Sequence, residues 1–343
     1  MPRRPPASGA FLHRPMDDVS RTDRDRADAL LRLGRFPEAI ELLRNLVETF
    51  PEEESHLLAL AWALHDSGDR REAASCFELL FQRELSRNLG GGFAYDELVR
   101  IHREGNNPEG LLSVCERAAA VQPEDPGLLK TLGDAYLTAG RPTDALRVFE
   151  RLTAREPDAP ENWCSLGSAR LAAGAPGEAE AAYAKAAELT PADAAAFFSR
   201  LAAAFLRAGH PERSQAAGER CTALAPDEPL YLMNLGTTLL HRGDADAAAG
   251  AYARAASLNP ASAGAIWYRL GTLLATEGLH ARAAEAFTNA AATEPGNSRY
   301  LLALAASYAA RGETDLAVAT LRRVDSPGGD TATDHLPRRP TPG

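Results

Sequence analysis

A repeat of 34 or 35 residues constrains this 343-residue chain more than any other feature. Its marker is a glycine followed five residues later by an alanine. The marker begins at Gly34, Gly68, Gly140, Gly174, Gly243, Gly278 and Gly312, and Gly209 with Ser214 is a near match. Self-similarity at this period predicts an array of stacked units instead of a single globular core.

The residues around each glycine predict two helices joined by a tight turn. Glycine ends a helix readily because it adopts the left-handed conformation at little cost. Proline often follows, as at Pro142 and Pro176, where the first turn of a new helix does not need its missing N–H. Apolar residues recur at helical spacing before the turn, as at Leu129, Leu132 and Tyr136. Each unit is therefore a predicted helix hairpin that must stack on its neighbours to bury its apolar sides.

The hairpins are predicted to form one array over residues 20–325, within a single elongated body. Units begin near residues 20, 54, 92, 126, 160, 195, 229, 264 and 298. Residues 1–19 and 326–343 lack helical periodicity and are predicted to be disordered tails. The run Gly90-Gly91-Gly92 lengthens one spacing to 38 residues. We interpret this run as a flexible joint, because it follows a helix and lacks the Lys-Ser/Thr of a phosphate loop.

With these motifs in place, the chain resembles the tetratricopeptide repeat family over about nine-tenths of its length. The fifth unit carries the motif through Trp163, Leu166, Gly167, Ala179, Tyr183, Ala186 and Pro191, and the eighth through Trp267, Leu270, Gly271, Ala283, Phe287, Ala290 and Pro295. Arg26, Val99 and Gly218 depart from it. The resemblance implies an all-α, right-handed superhelical solenoid of about nine repeats. It also implies that the first helices line a concave groove that holds peptides or partner proteins.

The resemblance places candidate groove residues on the first helices, opposite the Leu-Gly stripe. They are Trp62, Arg100, Arg103, Lys130, Leu171, Leu206, Met233, Thr237, Leu240, Tyr268 and Thr272. The C-terminal members are expected to hold the apolar side of an extended or helical segment of a partner, while Arg100, Arg103 and Lys130 orient its acidic end. In the alternative, four of these residues contact only the next unit of the array: Leu171, Leu206, Leu240 and Met233.

Several function classes find no support in the sequence. The formal net charge of −10 argues against nucleic-acid binding, which needs a broad basic surface. We find no catalytic triad, HExxH motif or Walker loop, and the four cysteines lack metal-site spacing. No catalytic residue, cofactor or metal is therefore predicted. Apolar stretches fall short of the ~20 residues that span a bilayer, and the N-terminus does not resemble a secretory signal. We expect a cytoplasmic protein that does not enter a membrane.

These observations predict a non-enzymatic scaffold that binds a peptide or helical segment of a partner protein in its groove. The alternative is an accessory or regulatory subunit of a larger enzyme or of an envelope-assembly complex, such as a polysaccharide or pilus system. In addition, the last unit carries Leu316, Val318, Leu321 and Val324 with no capping helix after it. This apolar surface predicts self-association through the C-terminal repeat.

Overall fold

The structure is a computed structural model that describes residues 18–325. Within that range it contains eighteen α-helices and no β-strand, which confirms the all-α prediction. The first eight helices are α1 (Asp18–Arg32), α2 (Phe36–Thr49), α3 (Glu54–Ser67), α4 (Arg70–Ser86), α5 (Phe93–Glu104), α6 (Pro108–Val121), α7 (Pro126–Thr138) and α8 (Pro142–Arg155). The next ten are α9 (Pro160–Ala172), α10 (Pro176–Leu189), α11 (Ala194–Arg207), α12 (Pro211–Leu224), α13 (Pro229–His241), α14 (Ala245–Leu258), α15 (Ala263–Thr276), α16 (His280–Thr293), α17 (Ser298–Ala310) and α18 (Thr314–Asp325).

Consecutive helices pair into nine hairpins over the described range. Residues 18 and 19, which the sequence assigned to the N-terminal tail, form the start of α1. The rest of the two predicted tails, residues 1–17 and 326–343, lies outside the described residues.

The hairpins group into two larger compact units, with the boundary between Pro157 and Asp158. From here on, the first unit and the second unit mean these two groups of hairpins. The first unit holds α1–α8 and the second holds α9–α18. The sequence predicts one array over residues 20–325 within a single elongated body, and that stays a prediction. The glycine marker continues through the boundary at unchanged spacing, from Gly140 to Gly174. The residue pattern therefore gives no sign of the division.

The turn glycines have the backbone conformation that the sequence predicts. Eight of them have φ between 70° and 95°: Gly34, Gly68, Gly140, Gly174, Gly209, Gly243, Gly278 and Gly312. A Cβ atom on Gly140 would meet no atom within 4 Å, so backbone conformation and not space favours glycine there. The third hairpin lacks the marker. Asn106, with φ of 48°, takes the left-handed position in it, as asparagine does more readily than most residues.

Glycine has a second use inside the hairpins, where it lets an aromatic ring lie directly on the first helix. A Cβ on Gly133 would lie 2.4 Å from Cζ of Phe149, and one on Gly236 would lie 2.7 Å from Cδ2 of Tyr252. The same contact joins Gly167 to Tyr183 and Gly271 to Phe287. Because interiors are close-packed, the ring on the second helix and the glycine on the first fix how closely the two helices approach.

The sixth hairpin replaces this contact with another arrangement. Gly218 stands at the aromatic position, and a Cβ there would lie 3.2 Å from Cδ1 of Leu235 in the next hairpin. The hydroxyl of the buried Ser214 donates a hydrogen bond to the carbonyl oxygen of Ala202 at 2.8 Å and lies 3.0 Å from the Thr238 hydroxyl. A neighbouring leucine and a buried hydroxyl pair therefore take the place of the missing ring.

The glycine run before α5 is held by side chains, so its interpretation as a flexible joint needs correction. The side-chain oxygen of Gln122 accepts a hydrogen bond from the N–H of Gly90 at 2.8 Å. The Glu84 carboxylate accepts one from the N–H of Ala94 at 3.0 Å, in the first turn of α5. A Cβ on Gly92 would lie 2.3 Å from the Glu84 carboxyl carbon. Close approach of these side chains explains the run.

The two units differ in how their first helices approach one another. In the second unit, Cα atoms of α9 and α11, of α11 and α13, of α13 and α15, and of α15 and α17 come within 8 Å. The second helices of that unit make no comparable approach. The second unit therefore curves with its first helices on the inner side. In the first unit the helices that approach in this way are α4 and α6, both second helices.

Candidate partner-binding surfaces

The second unit exposes apolar side chains on its first helices. Leu230 on α13 and Leu302 on α17 are each 50% exposed. Met233 and Tyr268 are half-buried and pack against the hydrophobic core with part of their side chains outside it. We call this surface the α13–α17 face and define it by Leu230, Met233, Thr237, Tyr268, Thr272 and Leu302. It joins four of the predicted groove residues with two leucines, Leu230 on α13 and Leu302 on α17.

A cavity of about 410 Å³ opens between α13 and α15. Its lining is mostly apolar and includes one acidic and one basic residue. The lining residues are Glu228, Pro229, Leu230, Met233, Asn259, Ser262, Ala265, Ile266 and Arg269. Pockets with apolar walls and a few polar groups at the rim suit a buried apolar anchor with a defined orientation.

The two threonines of the face make different contacts. Thr237 donates a hydrogen bond to the carbonyl oxygen of Met233 at 2.9 Å, and its hydroxyl lies 3.0 Å from the Tyr252 hydroxyl. Burial raises the pKa of Tyr252. Thr272 donates to the carbonyl oxygen of Tyr268 at 2.9 Å and is exposed. Thr237 is therefore part of the internal packing, and Thr272 is the hydroxyl that a partner can reach.

Two arginines flank the apolar part of the face. The guanidinium carbon of Arg299 lies 4.5 Å from the centre of the Tyr268 ring, which also packs 5.4 Å from the ring of Tyr300. Neither Arg299 nor Arg269 has an ion pair within 4.0 Å in the described part of the chain. Their charges are available to an acidic partner, while the stacked rings hold Tyr268 in place before binding.

Two predicted groove residues belong to the core. Leu171 is 9% exposed and packs in the cluster that contains Phe197 and Phe205. Leu240 is 4% exposed and packs in the cluster that contains Tyr252. For both, the prediction of an open groove position is corrected, because close approach of successive first helices covers these positions. Leu206 is half-buried.

In the first unit, Trp62 packs at the edge of the core. Its ring lies 5.5 Å from His65, 5.7 Å from Phe77 and 6.2 Å from Phe93, measured between ring centres. The Arg100 guanidinium lies 5.9 Å from the Trp62 ring centre. The indole N–H is buried and has no hydrogen-bond partner within residues 18–325. These contacts give Trp62 a packing role and leave only part of its ring at the surface.

The predicted cations of the first unit are not equivalent. Arg100 forms ion pairs with Glu97 at 2.6 Å and Glu104 at 3.0 Å on its own helix, so its charge is already neutralised. Arg103 and Lys130 are exposed and have no ion pair within 4.0 Å among the residues that the structure describes. Both lie near Asp134, whose pKa is raised by burial and lowered in part by these two charges. Arg103 and Lys130 therefore remain as the available cations.

Leu230 and Leu302 were not among the groove residues predicted from the sequence. Leu302 lies 34 residues after Tyr268, so it occupies the same place in the ninth hairpin that Tyr268 occupies in the eighth. Leu230 lies three residues before Met233, which puts it on the same helix face. The repeat register could have identified both positions.

Residues 18–325 carry little that would support another kind of site. No group of three or more His, Cys, Asp and Glu side chains there is placed to hold a metal ion. No helix in that range combines the length and apolar character that a bilayer crossing requires. The four cysteines, Cys76, Cys115, Cys164 and Cys221, form no disulfide and are buried. Burial raises the pKa of each thiol to about 11, which makes them poor nucleophiles at neutral pH.

Comparison with protein families agrees with the hairpin geometry. One tetratricopeptide repeat model matches residues 130–194 and 199–266, and a second matches residues 274–333. Together they span more than half of the chain. The chain belongs to the tetratricopeptide repeat family, and this membership supports a protein–protein interaction scaffold. A model described as a bacterial transcriptional activator domain matches residues 9–105.

Several solved structures are similar to the chain. The APC/C hetero-tetramer Cut9-Hcn1 matches with 19% identity and a TM-score of 0.35, over 90% of this chain and 53% of that chain. The chain thus spans about half the length of that relative. Two structures of MamA match with 19% identity and TM-scores of 0.33 and 0.32. They cover 63% and 57% of this chain and 98% and 94% of theirs. No curated protein matches the chain.

Proposed function

We propose that the chain is a non-enzymatic scaffold whose second unit binds an apolar segment of a partner protein on the α13–α17 face. The observation that carries the proposal is the half exposure of Leu230 on α13 and Leu302 on α17, two first helices of that unit. Met233 on α13 and Tyr268 on α15 are half-buried and pack against the same core cluster. Exposed apolar surface of this kind on a folded unit indicates an interaction site.

The partner segment is proposed to be amphipathic and acidic. Its apolar side would cover the face, and one large side chain would enter the cavity between α13 and α15. Met233 lines that cavity, and its flexible thioether can adapt to the anchor. Arg269 and Arg299 would meet carboxylates on the flanks of the segment, where charge-assisted hydrogen bonds fix its orientation. Helix-in-groove recognition combines apolar anchors and a polar rim in this way.

Arg103 and Lys130 are proposed as a separate contact for an acidic segment on the first unit. Within residues 18–325 neither side chain has an ion pair, which supports this role. Arg100 is left out because Glu97 and Glu104 already neutralise it. The role of orienting an acidic segment, which the sequence predicted for three cations, is therefore proposed for Arg103 and Lys130 alone.

The test is to replace Met233 and Tyr268 by alanine together and to measure affinity for a partner segment. That segment would first be recovered by affinity capture from the source cells and identified by mass spectrometry. The double variant is expected to lose about 2–4 kcal/mol of binding free energy, because anchors of an interface carry most of its affinity. Titration calorimetry measures the loss, and circular dichroism checks that helicity is unchanged.

A matched control is Leu224→Ala on α12 in the same unit. Leu224 is 55% exposed but lies on a second helix, outside the proposed face. Its replacement should leave affinity unchanged. Equal affinity of the double variant and the unchanged protein, with equal helicity, would remove the proposal.

A second candidate function is that of an accessory or regulatory subunit of a larger assembly. The match of residues 9–105 to a bacterial transcriptional activator domain model favours a regulatory setting. The formal net charge of −10 opposes direct binding to the DNA backbone, so any such role would act through protein contacts. Loss of a regulatory partner on Arg103→Glu with Lys130→Glu, but not on Met233→Ala with Tyr268→Ala, would favour this candidate. The cytoplasmic location stays a prediction.

A further inference from the structure

The last helix exposes two apolar positions that the preceding hairpin buries. Val318 and Leu321 on α18 are 42% and 41% exposed. The equivalent residues on α16, 34 positions earlier, are Ala284 and Phe287, and each is 3% exposed. Helix α16 is covered by α17 of the next hairpin. Within residues 18–325, no following helix covers α18 in this way.

The sequence that follows α18 is poorly suited to cover it. Residues 326–343 contain four prolines and three glycines, and Leu336 is their one large aliphatic residue. Prolines and glycines oppose a regular helix, and one leucine cannot provide an apolar stripe at helical spacing. Residues 326–343 therefore do not supply a matching apolar surface.

We propose that a second copy of the chain covers this surface, through antiparallel packing of α18 on α18. The charged residues on α18 favour pairing with a second copy. Asp315 lies three residues before Val318, and Arg322 lies four residues after it, so all three share one face of the helix. Neither charged residue has an ion pair within 4.0 Å in the described structure. Both are therefore open to a partner.

The charge order selects the arrangement. In an antiparallel pair centred between Val318 and Leu321, Asp315 of one copy comes within a turn of Arg322 of the other, twice by symmetry. In a parallel pair the two Asp315 side chains would face each other, and like charges oppose association. A two-fold pair also uses one surface twice, as most protein dimers do. The dimer does not depend on the α13–α17 face.

The first test replaces Val318 and Leu321 together by glutamate in the full chain. The unchanged protein should show a reversible monomer–dimer equilibrium in sedimentation equilibrium. The double variant should raise the dimer dissociation constant by about 30-fold or more, the effect of losing an interface anchor. Leu224→Glu, at a 55% exposed leucine on α12, is the control and should leave the dimer unchanged. Circular dichroism establishes that each variant is folded.

The second test exchanges the charges. Asp315→Arg and Arg322→Asp should each weaken the dimer alone, and an equal mixture of the two variants should restore it as a heterodimer. A strictly monomeric unchanged protein at high concentration would overturn the proposal. So would a dimer that the Val318→Glu and Leu321→Glu replacements leave intact. Failure of the mixture to recover would overturn the antiparallel arrangement.

Discussion

The two units are built from the same hairpin but present different chemistry on their first helices. In the first unit, Arg103 and Lys130 are exposed beside a half-buried carboxyl, and Arg100 is neutralised on its own helix. In the second unit the corresponding side carries Leu230 and Leu302, each 50% exposed. The scaffold is shared, so the exposed positions alone make one surface charged and the other apolar.

This contrast separates the residues that build a hairpin from those that give it a partner. Gly133 with Phe149 in the first unit and Gly271 with Phe287 in the second make the same interior contact. Packing fixes these positions, because no larger residue fits beneath the ring. The exposed positions of the first helices carry no such constraint. They can change from repeat to repeat without cost to the fold, and recognition is expected to depend on them.

The largest predicted effect tests whether the hairpin interiors of the first and the second unit are equally stable. Phe149→Ala and Phe287→Ala should each lower the free energy of unfolding by about 3–5 kcal/mol, the usual cost of removing a buried phenyl ring. Denaturant titration measures the loss. Labelling of the buried thiols tells which unit opens, because Cys115 lies in the first unit and Cys221 in the second. A loss confined to one of the two variants would break the equivalence.

The next prediction compares a turn glycine with a helix-interior glycine in the seventh hairpin. Gly243 has φ of 83°, whereas Gly250 lies inside α14 with open space around its Cα. Gly243→Ala should lower the free energy of unfolding by about 1–2 kcal/mol, the cost of a left-handed alanine. Gly250→Ala should raise it by about 0.5–1 kcal/mol, because alanine is the better helix former. Thermal unfolding of both variants checks the opposite signs, and shifts of equal sign would contradict the account.

A smaller effect is expected at the tyrosines of the second unit. Tyr252→Phe removes a hydroxyl that lies 3.0 Å from the Thr237 hydroxyl. It should lower the free energy of unfolding by about 0.5–1.5 kcal/mol, the net worth of one hydrogen bond. The eighth hairpin has Phe287 at this position naturally, beside Thr272. A Thr272→Val replacement is therefore the control, and it should cost less than Thr237→Val.

The smallest effect at neutral pH comes from the thiols. Their pKa values of about 11 in the folded protein lie above the ordinary value of 9.0. The folded state therefore favours the protonated thiol. This contribution is complete below pH 9 and is lost as the pH rises through 11. Stability measured by denaturant titration should be flat from pH 7 to 8.5 and fall above pH 9. Rapid alkylation of the native protein at pH 8 would contradict the burial of these thiols.

Much of the fold could be predicted from the sequence, because turns and ring contacts depend on residues close in the chain. The left-handed glycines and the hairpin pairing are examples. The burial of Leu171 and Leu240 could not be predicted, because it depends on how closely successive first helices approach. The division after Pro157 left no mark on the repeat pattern. The positions of Leu230 and Leu302 could have been predicted from the repeat register.

The central claim is that the second unit holds its partner on the α13–α17 face, and site-specific photocross-linking in the source cells tests it most directly. A photoreactive phenylalanine analogue would replace Leu230, Leu302 or, as the control, Leu224 on α12. These three leucines are 50%, 50% and 55% exposed, so reactivity differs by position and not by accessibility. The account predicts that Leu230 and Leu302 cross-link to one partner segment with apolar residues at helical spacing and flanking carboxylates, while Leu224 does not. Cross-links to that segment from Leu224 alone, or equally from all three positions, would contradict it.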